Sequence, residues 1–309
     1  GRVIVQTASP GPFQYGDAVT VSGYLETPPA EADFSYKDYL ARQDIFSMIQ
    51  YAQASLNGER RGNPLRQFLF DVRDRAHTII IGALPEPQAS LLSGILLGKD
   101  SGISPQVQDA FSTVGATHVI AISGSNMIIV AGLFYLLASR AARPPWSAVI
   151  TIAGILLYTL FVGTSPSVVR AAIMAALTLT AAQLGRPTYG FASLGFAALL
   201  MTAISPLVVW DVGFQLSFLA TLGLMLYSDP LQKRLNSFFE KLLPAGIARP
   251  ITAVLSDSLV VTIAAQITTT PLIAYTFGRF SPLSLPVNLL IVPMQTPLMV
   301  SGGIGTLLG

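Results

Sequence analysis

The sequence predicts a mainly α-helical membrane protein: a polytopic bundle of transmembrane helices, preceded by a small β module and an amphipathic helix. Three observations predict it. Hydrophobic residues make up 51% of the chain and charged residues 11%, against about 25% charged in soluble domains. The charge is also unevenly spread. Residues 1–100 hold 9 Lys/Arg and 11 Asp/Glu, whereas from 110 to 228 only Arg140, Arg143, Arg170, Arg186 and Asp211 are charged. Finally, that charge-poor part contains a series of apolar runs approaching the roughly 20 residues that cross a bilayer. So much apolar surface cannot be hidden inside a chain of 309 residues, which points to lipid as its solvent.

The expected domains are a β module over 1–63, amphipathic and interfacial helices over 64–105, and the membrane domain over 106–309. In the first, Val3–Val5 and Ala18–Leu25 read as strands, the second alternating around Val19, Val21 and Tyr24. Gly11-Pro12 and Gly16-Asp17 punctuate them. Tyr36–Arg42 reads as a short helix and Ile45–Tyr51 as a further strand. Pro64 opens the amphipathic helix, where its missing N–H is harmless. Leu65, Phe68, Leu69, Val72, Ala76 and Ile79 recur at helical spacing, with Arg66, Asp71, Arg73, Asp74 and Arg75 opposite. Such a helix either lies on the bilayer surface or packs on the membrane domain. Leu91–Leu97 is too short to span and reads as re-entrant or interfacial.

The predicted spans are Thr117–Ser139, Trp146–Val162, Ser167–Leu184, Tyr189–Ile204, Leu207–Tyr227, Val254–Phe277 and Pro282–Leu308. Basic residues orient them. Arg140, Arg143, Arg186, Lys233, Arg234, Lys241 and Arg249 follow the odd-numbered spans. The other side collects Arg170 and Arg279. The richer side is therefore cytoplasmic, which places the β module outside the cytoplasm. The chain starts at Gly1 without an initiator Met or a signal peptide and stops at Gly309 inside an apolar run, so the natural protein is expected to be longer.

Several chemistries are excluded. The absence of cysteine rules out disulfides and thiolate metal sites. His77 and His118, without clustered acids, make no recognisable metal site, and no cofactor is expected. There is no GxxxxGKS phosphate loop, hence no nucleotide motor. An intramembrane serine protease would need a Ser and a His from different spans, yet His118 shares a span with Ser123 and His77 lies outside the spans. A net charge of +2 is by itself too small to argue for nucleic acid.

The candidate functional residues are polar groups within apolar runs. His118, Ser123, Gly124, Ser125 and Asn126 form the most polar part of the first span. Two readings stand: small residues that let helices approach closely, or a broken helix whose freed backbone lines a wet cavity. Ser165-Pro166-Ser167 starts the third span, with Arg170 one turn inside, either snorkelling or aimed into a pore. Asp211, Gln215 and Ser217 lie in the fifth span. Asp211 and Gln215 are expected on one helical face, with Asp211 paired to Arg170 or serving transport. Gln266, Thr268 and Thr269 precede Pro271, which is expected to kink the sixth span while Thr hydroxyls satisfy the freed carbonyls. Pro286, Asn288, Pro293, Gln295 and Pro297 make the last span irregular.

Together these segments resemble the ComEC/Rec2 competence family. The matching text is Leu91-Leu-Ser-Gly94-Ile-Leu-Leu-Gly98-Lys99-Asp100, Gly102-Ile-Ser104, His118 to Asn126, Ser167-Val-Val-Arg170 to Met174, Asp211 to Phe218, Thr270-Pro271, Phe277-Gly278 and Pro286-Val-Asn288. Each motif is weak alone; their order and spacing are specific. The resemblance implies a channel passing single-stranded DNA across the cytoplasmic membrane in natural transformation. It also implies an OB-like character for the N-terminal module, and partners among the competence proteins that deliver or receive DNA. It implies no catalysis in this chain: family members often carry a C-terminal metallo-β-lactamase-like nuclease domain, and nothing here matches its His/Asp motif. Where the family usually has Ser-Gly-Leu-His, this chain has Asn126, which keeps hydrogen bonding but not titration.

On this reading Ser123, Asn126, Gln215, Gln266 and Thr269 supply hydrogen bonds along a polar path, while Arg170 and Arg279 meet phosphates near its outer side. The rivals are a small-solute transporter, which needs a midplane site and often inverted repeats, and a non-conducting membrane scaffold.

Overall fold

One long strand organises the N-terminal sheet. In the computed structural model, β1 (Arg2–Thr7), β2 (Asp17–Ser22), β3 (Leu25–Glu26), a short helix α1 (Tyr36–Ala41) and β4 (Ile45–Arg60) follow in order. The structure describes residues 2–7, 13–29, 36–41, 44–120, 122, 124–242, 249–278 and 281–309. β1 runs parallel to the first half of β4, with Val5 opposite Ile49. β2 runs antiparallel to its second half, with Val19 opposite Leu56, and β3 adds Leu25 opposite Ile49. Tyr51, at φ +52°, marks the handover, where the register against β1 also slips. The strand predicted over Ile45–Tyr51 continues to Arg60, where pairing with β2 sustains it. Among the described residues, Pro28, Leu40, Met48 and Ala52 are the buried side chains of the module.

α2 (Pro64–Ala83) starts as predicted at Pro64, and the Asn63 side chain accepts hydrogen bonds from the Leu65 and Arg66 amides. Its buried residues are Leu69 and Ile80, on the side that meets α3 (Gln88–Leu97). Leu65, Phe68 and Val72 of the predicted apolar face stay exposed, at 51%, 63% and 42%. α3 itself is enclosed by its neighbours and ends at Gly98. There φ is +68°, and a Cβ would stand 2.4 Å from the Val162 carbonyl oxygen, so only glycine fits. A polar helix that sequence reasoning missed, α4 (Pro105–Thr113), begins at Pro105.

The first predicted span is divided into α5 (Thr117–Ile120) and α6 (Gly124–Ala141), with Ile122 non-helical between them. α7 (Trp146–Val162), α8 (Pro166–Gln183) and α9 (Gly190–Ile204) lie within a residue of the predicted bounds. The fifth span departs more: a 3₁₀ turn (Pro206–Trp210) precedes α10 (Val212–Leu242), which runs well past Tyr227. α11 (Arg249–Phe277) and α12 (Ser284–Leu308) complete the chain, with prolines Pro230, Pro271, Pro293 and Pro297 inside the last three helices.

Among the described residues, two helices are long and apolar enough to cross a membrane, Asp257–Phe277 and Ser284–Leu308. α7 and α9 and the stretch Asn126–Ala141 are equally apolar but shorter. The seven spans predicted from the sequence thus reduce to two by this criterion: Asn126–Ala141, α7 and α9 fall short in length, while α8 and α10, with 18 and 31 residues, are long enough but are not among the helices that meet it. Only 22% and 17% of the two long apolar stretches is buried, unlike the core helices of soluble proteins.

Beside an apolar core that includes Met127, Ile155 and Val168, the helical part buries polar side chains while leaving large apolar ones exposed. On α7, Ser147, Thr151 and Thr159 are buried at 1%, 0% and 6%, while Trp146, Val149 and Leu156 are more than half exposed. The Thr151 and Thr159 hydroxyls donate to carbonyls of their own helix, so they bury without an orphaned group. On α12, Asn288 and Gln295 are buried while Leu290 and Met294 are exposed at 71% and 66%.

Candidate functional site

Two polar groupings sit inside the helical part. The first joins α3, α6 and α12. Asn126, on the first turn of α6, is completely buried. Its Nδ2 donates to the Ile95 carbonyl at 3.3 Å, and its Oδ1 accepts from Gln295 Nε2 at 2.7 Å. The break at Ile122 brings Asn126 here: a helix restarted at Gly124 points it at α3, and Ser167 Oγ donates to the Ile122 carbonyl at 3.2 Å. The Ile122 carbonyl at the break is therefore satisfied by protein. The broken helix of the sharper reading is present, but its polar groups close on one another rather than on an open cavity. A mainly apolar cleft of about 180 Å³, lined by Ile95, Val119, Leu290, Ile291, Met294 and Leu298, lies beside Gln295.

The second grouping centres on Arg170, 8% exposed on α8. Its Nη1 donates to the Ser217 carbonyl and the Thr221 hydroxyl of α10. The Phe218 ring centroid lies 5.9 Å from its guanidinium carbon, a cation–π distance. Arg170 thus points into the bundle and does not snorkel. The predicted pair with Asp211 does not form. Asp211 precedes α10, and its Oδ1 accepts from the Phe214 amide at 2.9 Å, so the carboxylate caps the helix. Gln215 follows one turn later, its amide donating to the Asp211 carbonyl at 3.0 Å, and its Nε2 donates to the Val209 carbonyl.

The remaining candidates are dispersed. Gln266 Nε2 donates to Ser284 Oγ at 2.9 Å, tying α11 to α12. Thr268 Oγ1 reaches the Leu219 carbonyl of α10 at 2.7 Å. Thr268 and Thr269 both also donate to the Ala265 carbonyl, not to the Ile267 carbonyl beneath Pro271. α11 continues through Pro271, which faces outward. Asn288 is buried, and its Oδ1 has no partner among the described residues. His118 is exposed at the start of α5. Ser123 and Arg279 lie outside the described residues. Sequence reasoning noted Gln295 and Phe218 without giving them a role, and left out the partners Thr221 and Ser284. Gln295 carried a signal, being an amide in an apolar helix, whereas Thr221 and Ser284 carried none.

The profile of the family described as "Competence protein" matches residues 95–309. The chain is similar to ComE operon protein 3 of Bacillus subtilis (strain 168), at 25% identity over 95% of this chain and 36% of that protein. It is also similar to Competence protein ComA of Neisseria gonorrhoeae, at 34% identity over 41% of this chain and 20% of that protein. The chain therefore spans about a third of the length of the first of these relatives and about a fifth of the second. No solved structure matches.

Proposed function

The chain belongs to the competence protein family, the ComEC/Rec2 group, and on that premise we propose that it forms the membrane-embedded path by which a single DNA strand enters a cell during competence. The observation that carries this reading is the pairing, within α6 to α12, of buried amides, hydroxyls and the Arg170 guanidinium with widely exposed leucines and isoleucines such as Ile128, Leu156, Leu199 and Leu290. In hydrocarbon that is the arrangement which keeps polar groups satisfied. α6 to α12 then form a polytopic bundle. Trp146, Tyr189 and Trp210, exposed at helix ends, suit the aromatic belts of such a bundle. The sheet, with β4 paired to one parallel and two antiparallel neighbours, forms part of an OB-like module outside the cytoplasm.

In this conformation the Asn126–Gln295–Ile95 layer is shut, so conduction requires α12 to part from α6 there. That closure also favours a second reading, a non-conducting scaffold. The chain has no cysteine, which makes the test direct. Asn126→Cys and Gln295→Cys are combined in the full-length protein and bridged with a cleavable thiol crosslinker. The reading expects uptake of labelled single strands to stop when bridged and to return on cleavage. Uptake that ignores the bridge removes this layer from the path and leaves the scaffold reading.

A further inference from the structure

Arg170 is the charged side chain buried within the helical part, and it has no carboxylate. The ion pairs among the described residues are Arg60–Asp17, Arg61–Glu59 and Lys99–Asp74. One nitrogen, Nη1, is held by neutral acceptors on α10. The other edge of the guanidinium, Nε with Nη2, has no hydrogen-bond partner among the described residues, and Nε is fully buried. That edge is the one which meets two oxygens of a phosphate or carboxylate side by side.

The surroundings sharpen the demand for an anion. Nη2 lies 2.9 Å from where a Cβ on Gly124 would stand, so glycine is what lets the guanidinium lie against the start of α6. Gly124 is the first residue of α6, an 18-residue helix. A guanidinium therefore abuts the positive end of a helix, an arrangement that a negative group beside both would offset. Ser217 Oγ is buried and without a partner too, on the residue whose carbonyl Nη1 binds. The acid nearest in the sequence pattern, Asp211, is committed to capping α10.

We propose that the Nε–Nη2 edge of Arg170, facing Gly124 at the start of α6, is a binding site for one phosphate oxyanion, with the Ser217 hydroxyl available as a further donor. The phosphate it receives in function is a phosphodiester of the DNA strand. That assignment rests on the function proposed above; the oxyanion site does not.

The test uses the full-length protein in nanodiscs of zwitterionic lipid, titrated separately with inorganic phosphate and with a short oligothymidylate. Binding is read by thermal shift and by fluorescence anisotropy. Arg170→Lys keeps the charge but loses the fork, and Gly124→Ala pushes the guanidinium off the start of α6. Both are expected to weaken phosphate and oligothymidylate binding about tenfold or more, the scale of a charge-assisted bidentate contact. If Arg170→Lys does not fold, Gly124→Ala carries the comparison, because the guanidinium tip it displaces is flexible. Phosphate affinity unmoved by Gly124→Ala, or absent from the unmodified protein, overturns the site. Phosphate binding that responds to these changes, with no binding of oligothymidylate, upholds the oxyanion site and overturns the DNA assignment.

Discussion

Gln295 Nε2 donates to Asn126 Oδ1 at 2.7 Å, joining two helices 169 residues apart in the chain at a point closed to solvent. The bond also orients the Asn126 amide, whose nitrogen then meets the Ile95 carbonyl. Replacing either partner alone with Leu leaves a buried amide short of a bond, at about 1–3 kcal/mol. Replacing both removes the demand along with the supply. A double-mutant cycle by unfolding in detergent is therefore expected to show Asn126→Leu and Gln295→Leu together less destabilising than their sum, by about 0.5–3 kcal/mol. Strict additivity would mean that the two amides do not support each other.

This contact also marks the limit of what periodicity and composition reveal. Asn126 was legible because an amide in an apolar run must find a partner; which partner was not, since nothing local relates residue 126 to residue 295. Helix positions from α7 to α9 were legible because apolar runs and proline starts act locally. The Asp211–Arg170 pairing failed for a local reason overlooked: an acid just before Val212 finds a free amide in its own next turn, closer than any cation on another helix. On α2 amphipathic spacing identified an apolar stripe without saying what covers it: Leu69 and Ile80 are buried, while Leu65, Phe68 and Val72 stay exposed.

α10 and α11 approach through Gly223. A Cβ there would lie 2.3 Å from the Ala264 carbonyl oxygen and 2.4 Å from Thr268 Oγ1, the hydroxyl that reaches across to Leu219. Small residues permit such close helix contacts in a bilayer. Gly223→Ala is expected to destabilise by about 1–3 kcal/mol, as overpacking does. Gly195→Ala on α9, where a Cβ meets nothing within 4 Å, is expected to be neutral or to stabilise by about 0.5–1 kcal/mol. Thermal unfolding of the two variants side by side checks the contrast; equal shifts would deny the close approach.

His77 ties α2 to α3 through Ser93 Oγ at 3.0 Å. Burial lowers its pKa below the ordinary 6.5, and Lys99 and, less strongly, Arg73 push the same way against Asp74 and Glu86. A depressed folded-state pKa means that the unfolded chain takes up the proton first. The stability contribution is therefore whole above pH 6.5 and declines as pH falls from there through the folded value. His77→Gln is expected to flatten the dependence of the melting temperature between about pH 5 and about pH 7. A variant that keeps the full acid slope would move its origin to other groups.

The membrane placement can be read from two residues, because Trp146 and Trp210 are the only tryptophans. Trp146 opens α7, three residues after Arg143, and Trp210 closes the 3₁₀ turn before α10. Three helices, α7, α8 and α9, separate them, so in a polytopic bundle they lie at opposite membrane surfaces. α7 has 17 residues, about 26 Å at about 1.5 Å each, a little short of the roughly 30 Å hydrocarbon layer. Both indoles are then expected at interfacial depth. In Trp146→Phe and Trp210→Phe variants, each remaining tryptophan should be quenched more by lipids brominated near the headgroup than by those brominated at the chain end. In vesicles of uniform orientation, a membrane-impermeant quencher added outside should reach only one of the two. In the bundle proposed above, the bias of basic loops predicts Trp210 on the extracytoplasmic side. Quenching of both from the same side, or stronger quenching from the bilayer centre, would break the odd number of crossings between them and with it the bundle of α6 to α12.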